Sequence, residues 1–258
     1  MKIALCLSGQ PRSLEEGFLY HKKNILNPNK NVDVFVHTWN DQALVGKNYD
    51  CTAQEIDLKF HEEDSVLKVL KLYNPTSMKV EKPKNFLKER EYTKSYEGWD
   101  SSSEEAQAVR TNNSFSQFYS ISQANKLKQE HEIENGFVYD VEIRSRFDFA
   151  INVIADFSNL NIDKETLYVP DLNLGDDPHF NDQFALGHSK VMDKYSEIYK
   201  DCLNFFNEET QRFTKGNEII FFDSCTSKNM TLQNMNINHP FLPIDGRRGN
   251  STPHSLIR

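Results

Sequence analysis

The sequence predicts an α/β fold built on a mostly parallel central sheet that is flanked by helices. Segment 3–7 is a continuous apolar run, as expected of a strand buried on both faces, and segment 32–37 is a second, mostly apolar strand with β-branched content. The segment between them, 14–25, has the apolar spacing of an amphipathic helix. Strands that alternate with helices in this way are typical of a parallel sheet with helical crossovers.

The first three elements form a βαβ unit. Gly9 ends the first strand, and the helix predicted over 14–25 begins after Ser13, a residue type that commonly caps helices. Glu15 and Glu16 place negative charge in the first turn, where the helix dipole favours it. A right-handed crossover then returns the chain to the second strand. The N-terminal half is therefore expected to be Rossmann-like.

The rest of the chain continues the alternation of helices and strands. The further predicted helices cover 62–72, 114–129, 189–206 and 217–225, and the further predicted strands cover 77–80, 137–150, 166–169, 183–186 and 232–237. Residues 82–103 are polar and predict a long loop. No internal repeat or composition break divides the chain. We therefore expect a single domain over 1–258, with a variable, loop-rich region at 40–110 and a coil tail at 240–258.

Composition and charge narrow the function classes. The chain is 38% hydrophobic and 26% charged, which is typical of a folded globular protein. A net charge of −8 argues against nucleic acid or an anionic membrane as a general partner, although local groups can still hold a nucleotide. The sequence predicts no signal peptide. Its apolar runs are all much shorter than the roughly 20 residues that a membrane span needs. A cytoplasmic protein with at most peripheral membrane association is expected.

The cysteines predict free thiols rather than disulfides. The four are scattered along the chain and form no Cys-x-x-Cys pair: Cys6, Cys51, Cys202 and Cys225. Cys6 lies in an apolar run and Cys202 on a predicted helix, so buried thiols in a reducing compartment are expected.

The turn after the first strand, Ser8-Gly9-Gln10-Pro11-Arg12, is the first candidate binding site. Ligands of open α/β sheets bind beyond the carboxyl ends of the strands. Gly9 permits a close backbone approach, and the next helix presents free N–H groups to an anion. Arg12 adds a planar, permanently charged fork suited to phosphate or a base edge. The alternative is an ordinary strand-to-helix turn with a surface arginine.

The predicted strand 138–149 has a period of two along the sequence. One face is mostly apolar, and the other carries five charges of both signs, Asp140, Glu142, Arg144, Arg146 and Asp148. The last two lie near the carboxyl end of the strand, where a site belongs. There a carboxylate could hold a divalent cation that bridges a diphosphate, and either arginine could orient it or neutralise phosphate. A solvated sheet face is the alternative.

The acidic loop 175–182 is the third candidate. Asp177, His179 and Asp182 all have the chemistry of a general base, and Asp182 directly precedes an apolar strand that could hold it rigidly. The alternative for each is a turn or capping role. A calcium site is also conceivable, but the spacing is not that of an EF-hand.

Weaker candidates lie elsewhere. They are His37, Trp39 and Asp41 after the second strand, Glu218 at the start of helix 217–225, and the tail pair Arg247 and Arg248. Trp39 could stack on a sugar or a base, whereas Glu218 is expected mainly as a first-turn partner of the helix dipole. The arginine pair could close over a diphosphate or form a solvated basic tail.

Three segments together resemble a known family. The chain resembles bacterial and viral surface-polysaccharide glycosyltransferases of the WavE-like lipopolysaccharide-synthesis type. The segments that carry the resemblance are 3–12 (IALCLSGQPR) with 33–39 (DVFVHTW), 139–148 (YDVEIRSRFD) and 181–187 (NDQFALG). The match covers about the first 40 residues and 137–200. The resemblance implies a GT-A-like fold, a nucleoside-diphosphate sugar donor and a glycan acceptor.

The resemblance also implies roles for the candidate residues. Asp148 stands where such enzymes keep the metal-binding carboxylate of an Asp-x-Asp motif, but Asp148-Phe149-Ala150 carries one carboxylate. The reaction is therefore expected with or without Mn²⁺ or Mg²⁺. Asp182 and Asp148 are the expected catalytic residues. The expected nucleotide-sugar contacts are Ser8, Gly9, Gln10, Arg12, His37, Trp39, Arg144 and Arg146.

Two other functions fit the same sequence. A nucleotidyl- or phosphoryl-transferase would use a similar sheet and would release a different product. A non-catalytic nucleotide- or glycan-binding protein is compatible with the lone carboxylate at Asp148. The sequence does not specify the sugar, the base, the linkage or the oligomeric state.

Overall fold

The computed structural model describes residues 1–41, 64–89, 104–151, 157, 162–209 and 212–235. The helices of this part are α1 (Leu14–His21), a π-helical turn (Lys22–Leu26), α2 (Ser65–Tyr73), α3 (Phe86–Glu89), α4 (Glu104–Asn135), α5 (Ser189–Ser196), α6 (Ile198–Asp201), a 3₁₀ turn (Cys202–Phe205) and α7 (Asn217–Ser227). The strands are β1 (Ile3–Gly9), β2 (Val32–Trp39), β3 (Ser77–Glu81), β4 (Val141–Ser145), β5 (Thr166–Pro170), β6 (Phe184–Gly187), β7 (Phe206–Asn207), β8 (Arg212–Phe213) and β9 (Thr231–Met235).

Seven of the strands form one sheet in the order β3-β2-β1-β4-β6-β5-β9. β1 pairs in parallel with β2 and β4, β2 with β3, and β5 with β9, while β6 runs antiparallel to both of its neighbours. The predicted fold class is therefore confirmed as α/β with a mostly parallel sheet flanked by helices. Because β1, β2 and β4 point the same way, their carboxyl ends meet at one edge of the sheet.

Both faces of the central strands are covered. Ile3, Leu5 and Leu7 of β1 pack with α1 and α2 in one core cluster. The alternate residues Ala4 and Cys6 face α4 in a second cluster. Small side chains on this face let α4 lie close to β1, which brings the residues of α4 to the carboxyl edge of the sheet.

The first helix differs from its prediction in two details. Ser13 does lie just before α1, but it adopts a left-handed conformation and its side chain makes no capping hydrogen bond. The helix predicted over 14–25 is α-helical only to His21 and continues as the π-helical turn. The predicted side-chain cap is therefore wrong, although the predicted start of the helix is right.

The charged strand is shorter and more buried than predicted. β4 covers five residues, and Arg146 and Asp148 lie in the turn that follows it. Glu142 and Arg144 are almost completely buried. The interpretation as a solvated sheet face is wrong for these two, because α5 packs on β4 and Lys128 of α4 pairs with Glu142 at 3.0 Å. Charged residues at every second position of a strand do not show whether that face of the strand contacts water or a charged residue of a neighbouring helix.

Other element predictions hold in part. The helix predicted over 189–206 is broken into α5, α6 and a 3₁₀ turn, and α4 is much longer than the predicted 114–129. α3 lies inside the predicted loop 82–103, whose residues beyond 89 are outside the described part, as are 42–63 and 236–258. The tail arginines and Cys51 therefore lie outside it as well.

Two further predictions concern thiols and membranes. Cys6, Cys202 and Cys225 are buried free thiols, which confirms the prediction for these three. Within the described residues, every helix is too short or too polar to span a bilayer.

Candidate functional site

A cleft of about 110 Å³ lies at the carboxyl edge of β1, β2 and β4. It is lined by residues from four parts of the fold. They are Ser8, Gly9, Gln10 and Arg12 from β1 and its turn, Trp39 from β2, Asn113, Ser116 and Gln117 from α4, and Arg144 and Arg146 from β4 and the turn after it. The structure thus brings together seven of the residues selected from the sequence.

The backbone of the first turn is held by two hydroxyl groups. The Gly9 N–H donates to Ser120 Oγ at 2.8 Å, and the Gly9 carbonyl accepts from Thr38 Oγ1 at 2.9 Å. Gly9 has a φ of +105°, which favours glycine, and a Cβ there would meet no atom within 4 Å. Glycine is therefore required by the left-handed backbone, and the Gly9 N–H is already bonded within the protein.

His37 lies behind the cleft and connects this turn to β3. Its Nδ1 lies 2.7 Å from Ser120 Oγ and its Nε2 lies 3.0 Å from Glu81 Oε2. Burial lowers the pKa of His37 to about 4, although the Glu81 carboxylate opposes this shift. The neutral ring can then donate from Nε2 to Glu81 and accept from Ser120, whose oxygen accepts from Gly9. His37 does not line the cleft; it holds the residues that do.

A second buried histidine supports the turn after β4. His21 of α1 lies 2.8 Å from the hydroxyl oxygen of Tyr73 and 3.0 Å from Ser145 Oγ. Burial lowers the pKa of His21 to about 4, and the nearby Asp148 opposes the shift. Both histidines are therefore neutral in the folded protein at neutral pH.

These two histidines predict acid sensitivity. In the unfolded chain each binds a proton near pH 6.5, whereas in the folded protein each binds one only near pH 4. Their contribution to stability is thus complete above pH 6.5 and is lost as the pH falls toward 4. We expect the free energy of unfolding to drop by about 2 kcal/mol per histidine between pH 7 and pH 5.

Urea unfolding followed by circular dichroism across this pH range measures the effect. His21→Gln and His37→Gln should each remove about 2 kcal/mol of this acid-induced loss. Burial raises the pKa of Glu142 to about 7, so this carboxyl group opposes the loss, and each variant is compared with the wild-type protein at both pH values. A pH dependence that is unchanged in both variants would contradict the prediction.

Three guanidinium groups converge on the cleft. Arg12 comes from the turn after β1, while Arg144 and Arg146 come from β4 and its turn. Arg144 is 2% exposed; its Nη1 donates to the main-chain oxygen of Asp182, and its Nε has no hydrogen-bond partner among the described residues. Burial lowers the pKa of Arg144, and the positive charge of Arg146 adds to this shift, while Asp182 and Asp148 oppose it. Counting these three arginines against the two aspartates leaves a net charge of +1, which favours an anionic ligand.

Arg146 and Asp148 form a two-point ion pair. Arg146 Nε donates to Asp148 Oδ1 at 2.8 Å, and Nη2 donates to Oδ2 at 2.6 Å. Burial by itself would raise the pKa of Asp148, but Arg146 and, more weakly, Arg12 hold it below its usual value. The influence of Arg12 on Asp148 places the two turns beside each other. Asp148 is 7% exposed, so Arg146 rather than Asp148 reaches the cleft.

This arrangement does not fit a divalent metal ion on Asp148. Both carboxylate oxygens already accept hydrogen bonds from Arg146, and a cation bound there would lie next to that guanidinium and near Arg12. Mn²⁺ and Mg²⁺ also require several oxygen ligands. In the described part of the chain, no cluster of three or more His, Cys, Asp or Glu side chains could supply them.

Asp182 is joined to the opposite wall of the cleft. Gln117 Nε2 donates to Asp182 Oδ2 at 2.7 Å, and Gln117 Oε1 accepts from Asn217 Nδ2 at 3.1 Å. Gln117 lines the cleft directly, whereas Asp182 is 7% exposed and does not. Glu218, in the first turn of α7 as predicted, is close enough that partial desolvation and the charge of Asp182 raise its pKa.

Of the remaining sequence candidates, Asp41, Asp177 and His179 do not line the cleft, whereas Trp39 does. Asp177 and His179 belong to an exposed hairpin turn, in which His179 Nδ1 lies 2.6 Å from the Asp177 carbonyl oxygen. Trp39 lines the cleft but is 2% exposed, and Tyr119 stacks on it with ring centroids 5.7 Å apart. Stacking of a sugar on that face of Trp39 would require Tyr119 to move. Asp41 does not line the cleft.

Sequence reasoning missed the polar wall of α4. Asn113, Ser116, Gln117 and Ser120 follow the spacing i, i+3, i+4, i+7, which places them on one helix face. The aromatic residues Phe115, Phe118 and Tyr119 predict this helix by their apolar spacing. The polar residues at helical spacing beside them are the sequence signal that indicates a second, polar face.

Comparisons with known proteins add the following. No protein-family model and no curated protein matches the chain. Two solved structures similar to it are the apo form of glycosyltransferase GlyE of Streptococcus pneumoniae TIGR4 and a second crystal structure of the same protein, with 8% and 9% identity and TM-scores of 0.40 and 0.39. They cover 90% and 91% of this chain, whereas the chain spans only 44% and 45% of theirs. The function proposed below therefore depends on the site itself.

Proposed function

We propose that the chain is a nucleotide-sugar-dependent glycosyltransferase of GT-A-like fold that acts on a surface glycan. The observation that carries this proposal is the convergence of Arg12, Arg144 and Arg146 on one cleft at the carboxyl edge of a parallel sheet. Guanidinium groups are suited to phosphate oxygens because they donate in a planar fork. The hydroxyl and amide groups of α4 on the facing wall are suited to an uncharged, hydroxyl-bearing sugar.

The proposed step is a substitution at the anomeric carbon. A hydroxyl oxygen of the acceptor forms a bond to that carbon, and the bond from the carbon to the β-phosphate oxygen breaks. The nucleoside diphosphate leaves with the bonding electron pair, and the arginines stabilise its growing negative charge. The acceptor proton passes to a base, for which Asp182 is the candidate. This would invert the anomeric centre if it occurs in a single displacement.

Each part of the cleft then has a proposed role. The turn 8–12 and Arg12 hold the nucleotide and its phosphates, and Arg144 and Arg146 hold the diphosphate. The α4 residues Ser116 and Gln117 contact the sugar. Gln117 also holds Asp182, which keeps the candidate base next to a residue that lines the cleft. His37 contributes indirectly through Ser120.

Product analysis tests the proposal. The protein is incubated with a panel of nucleoside-diphosphate sugars and glycan acceptors, and the released products are separated by ion-exchange chromatography. Free nucleoside diphosphate together with a glycosylated acceptor supports glycosyl transfer. Released pyrophosphate would instead indicate a nucleotidyltransferase. Thermal stabilisation by a nucleotide sugar without any product would indicate a binding protein.

Asp182→Asn is expected to lower kcat by about a hundredfold while changing KM for the donor little, because the amide cannot accept the proton. The substitution preserves the shape, and the Asn side chain can still accept from Gln117. Steady-state kinetics measures both constants. Gln117→Ala should lower kcat less than tenfold, since it removes the support and leaves the carboxylate.

Asp177→Asn, in the exposed hairpin, serves as the matched control and should retain wild-type rates. A wild-type kcat in the Asp182→Asn variant would remove Asp182 from the mechanism.

A further inference from the structure

We propose that the cleft binds the diphosphate without a divalent cation and that Asp148 acts as the positioning residue of Arg146 rather than as a metal ligand. The inference rests on the proposed function, because it concerns how the same site holds its anionic ligand. The sequence leaves open whether Mn²⁺ or Mg²⁺ binds at Asp148. The inference is that guanidinium groups alone neutralise the diphosphate.

The first support is the state of Asp148. Both of its oxygens accept from one guanidinium, at 2.8 and 2.6 Å, and the side chain is nearly buried beside Arg146. A carboxylate that accepts two hydrogen bonds from one guanidinium fixes the orientation of that group. Without such a partner, a flexible arginine side chain would sample many orientations. Arg146 keeps a quarter of its side chain exposed, so the fixed fork remains accessible from the cleft.

The second support is independent of Asp148. Arg144 lines the cleft and is 2% exposed, and within the part of the chain that the structure describes its Nε lacks a hydrogen-bond partner. A buried charge without full compensation is unfavourable unless another group balances it. A diphosphate in the cleft would supply that negative charge. A metal ion there would add positive charge to a site that already holds Arg12, Arg144 and Arg146.

Inorganic pyrophosphate is the probe, because it presents the diphosphate without a base or a sugar. Isothermal titration of the full chain in buffer with EDTA should show binding. Arg146→Ala should weaken it by about tenfold to a hundredfold, the range for lost hydrogen bonds to a charged group. Asp148→Asn should weaken pyrophosphate binding less than tenfold. The amide oxygen still accepts a hydrogen bond from Arg146, although the negative charge of Asp148 is lost.

A metal site predicts the reverse order. Pyrophosphate would then bind only when Mn²⁺ is added, Asp148→Asn would abolish that binding, and Arg146→Ala would have the smaller effect. This result would overturn the inference and leave the proposed function intact. Arg146→Lys, which keeps the charge and loses the fork, separates orientation from charge and should resemble Arg146→Ala. Circular dichroism melting confirms that each variant is folded.

The two proposals fail in different ways. If pyrophosphate binds in EDTA but no nucleotide sugar is turned over, the proposed reaction is wrong and the cation-free anion site stands. If folded wild-type protein binds pyrophosphate neither with EDTA nor with Mn²⁺, the cleft is not a diphosphate site and the inference is overturned.

Discussion

Arg144→Met is expected to lower kcat/KM for the nucleotide-sugar donor by about 10²–10³, the scale for removing one preorganised donor from developing negative charge. Methionine fills much of the same volume, so the surrounding packing is largely preserved. The buried guanidinium is lost, and with it one of the three positive charges at the cleft that the proposed function assigns to the leaving diphosphate. Steady-state kinetics with saturating acceptor measures the loss.

The stability of the same variant distinguishes function from structure. Arg144 is desolvated and has one unsatisfied N–H, so its removal is expected to leave Tm unchanged or to raise it in the absence of ligand. An arginine kept for folding would show the opposite, a large fall in Tm. Arg144→Lys should be nearly as inactive, because a point charge cannot replace the fork. Arg110→Met, at an exposed position on α4, is the control and should be fully active.

The position of the cleft could be predicted from the sequence. The apolar runs of β1 and β2 and the helix between them specify parallel neighbours, so residues after both strands meet at one edge. This argument predicts that Arg12 and Arg146 lie at the same edge of the sheet, and they line one cleft. Such local patterns are strong because both faces of each strand are buried.

The partners of these residues could not be predicted in the same way. Gln117 lies 65 residues from Asp182 in sequence, and only the packing of α4 against the sheet brings them to 2.7 Å. The same packing decides that Glu142 pairs with Lys128 and does not reach the cleft. Period-two alternation identifies the two faces of β4 but does not tell which one a helix covers. Long-range pairing of this kind requires the tertiary structure.

Gly17→Ala is expected to be the most destabilising substitution near the site. Gly17 lies in α1, where it packs against the backbone of the turn after β4. A Cβ at this position would lie 1.7 Å from the Phe147 carbonyl oxygen and 2.9 Å from its carbonyl carbon. These are main-chain atoms that no rotamer change can move aside. Either α1 or the turn between Arg146 and Asp148 must shift as a whole.

Two effects oppose each other in this variant, and their sizes decide the sign. Alanine improves helix propensity by about 1 kcal/mol over glycine. Overpacking typically costs about 1–3 kcal/mol and occasionally more, and a clash with main-chain atoms belongs at or above the upper end of that range. We therefore expect a net loss of about 2 kcal/mol or more in the free energy of unfolding, measured by urea denaturation. Glu16→Ala, exposed on the same helix, is the control for a substitution in α1 that introduces no clash. A Gly17→Ala variant as stable as the wild-type protein would show that α1 does not approach this turn so closely. The shifted turn should also weaken pyrophosphate binding, because it carries the Arg146–Asp148 pair.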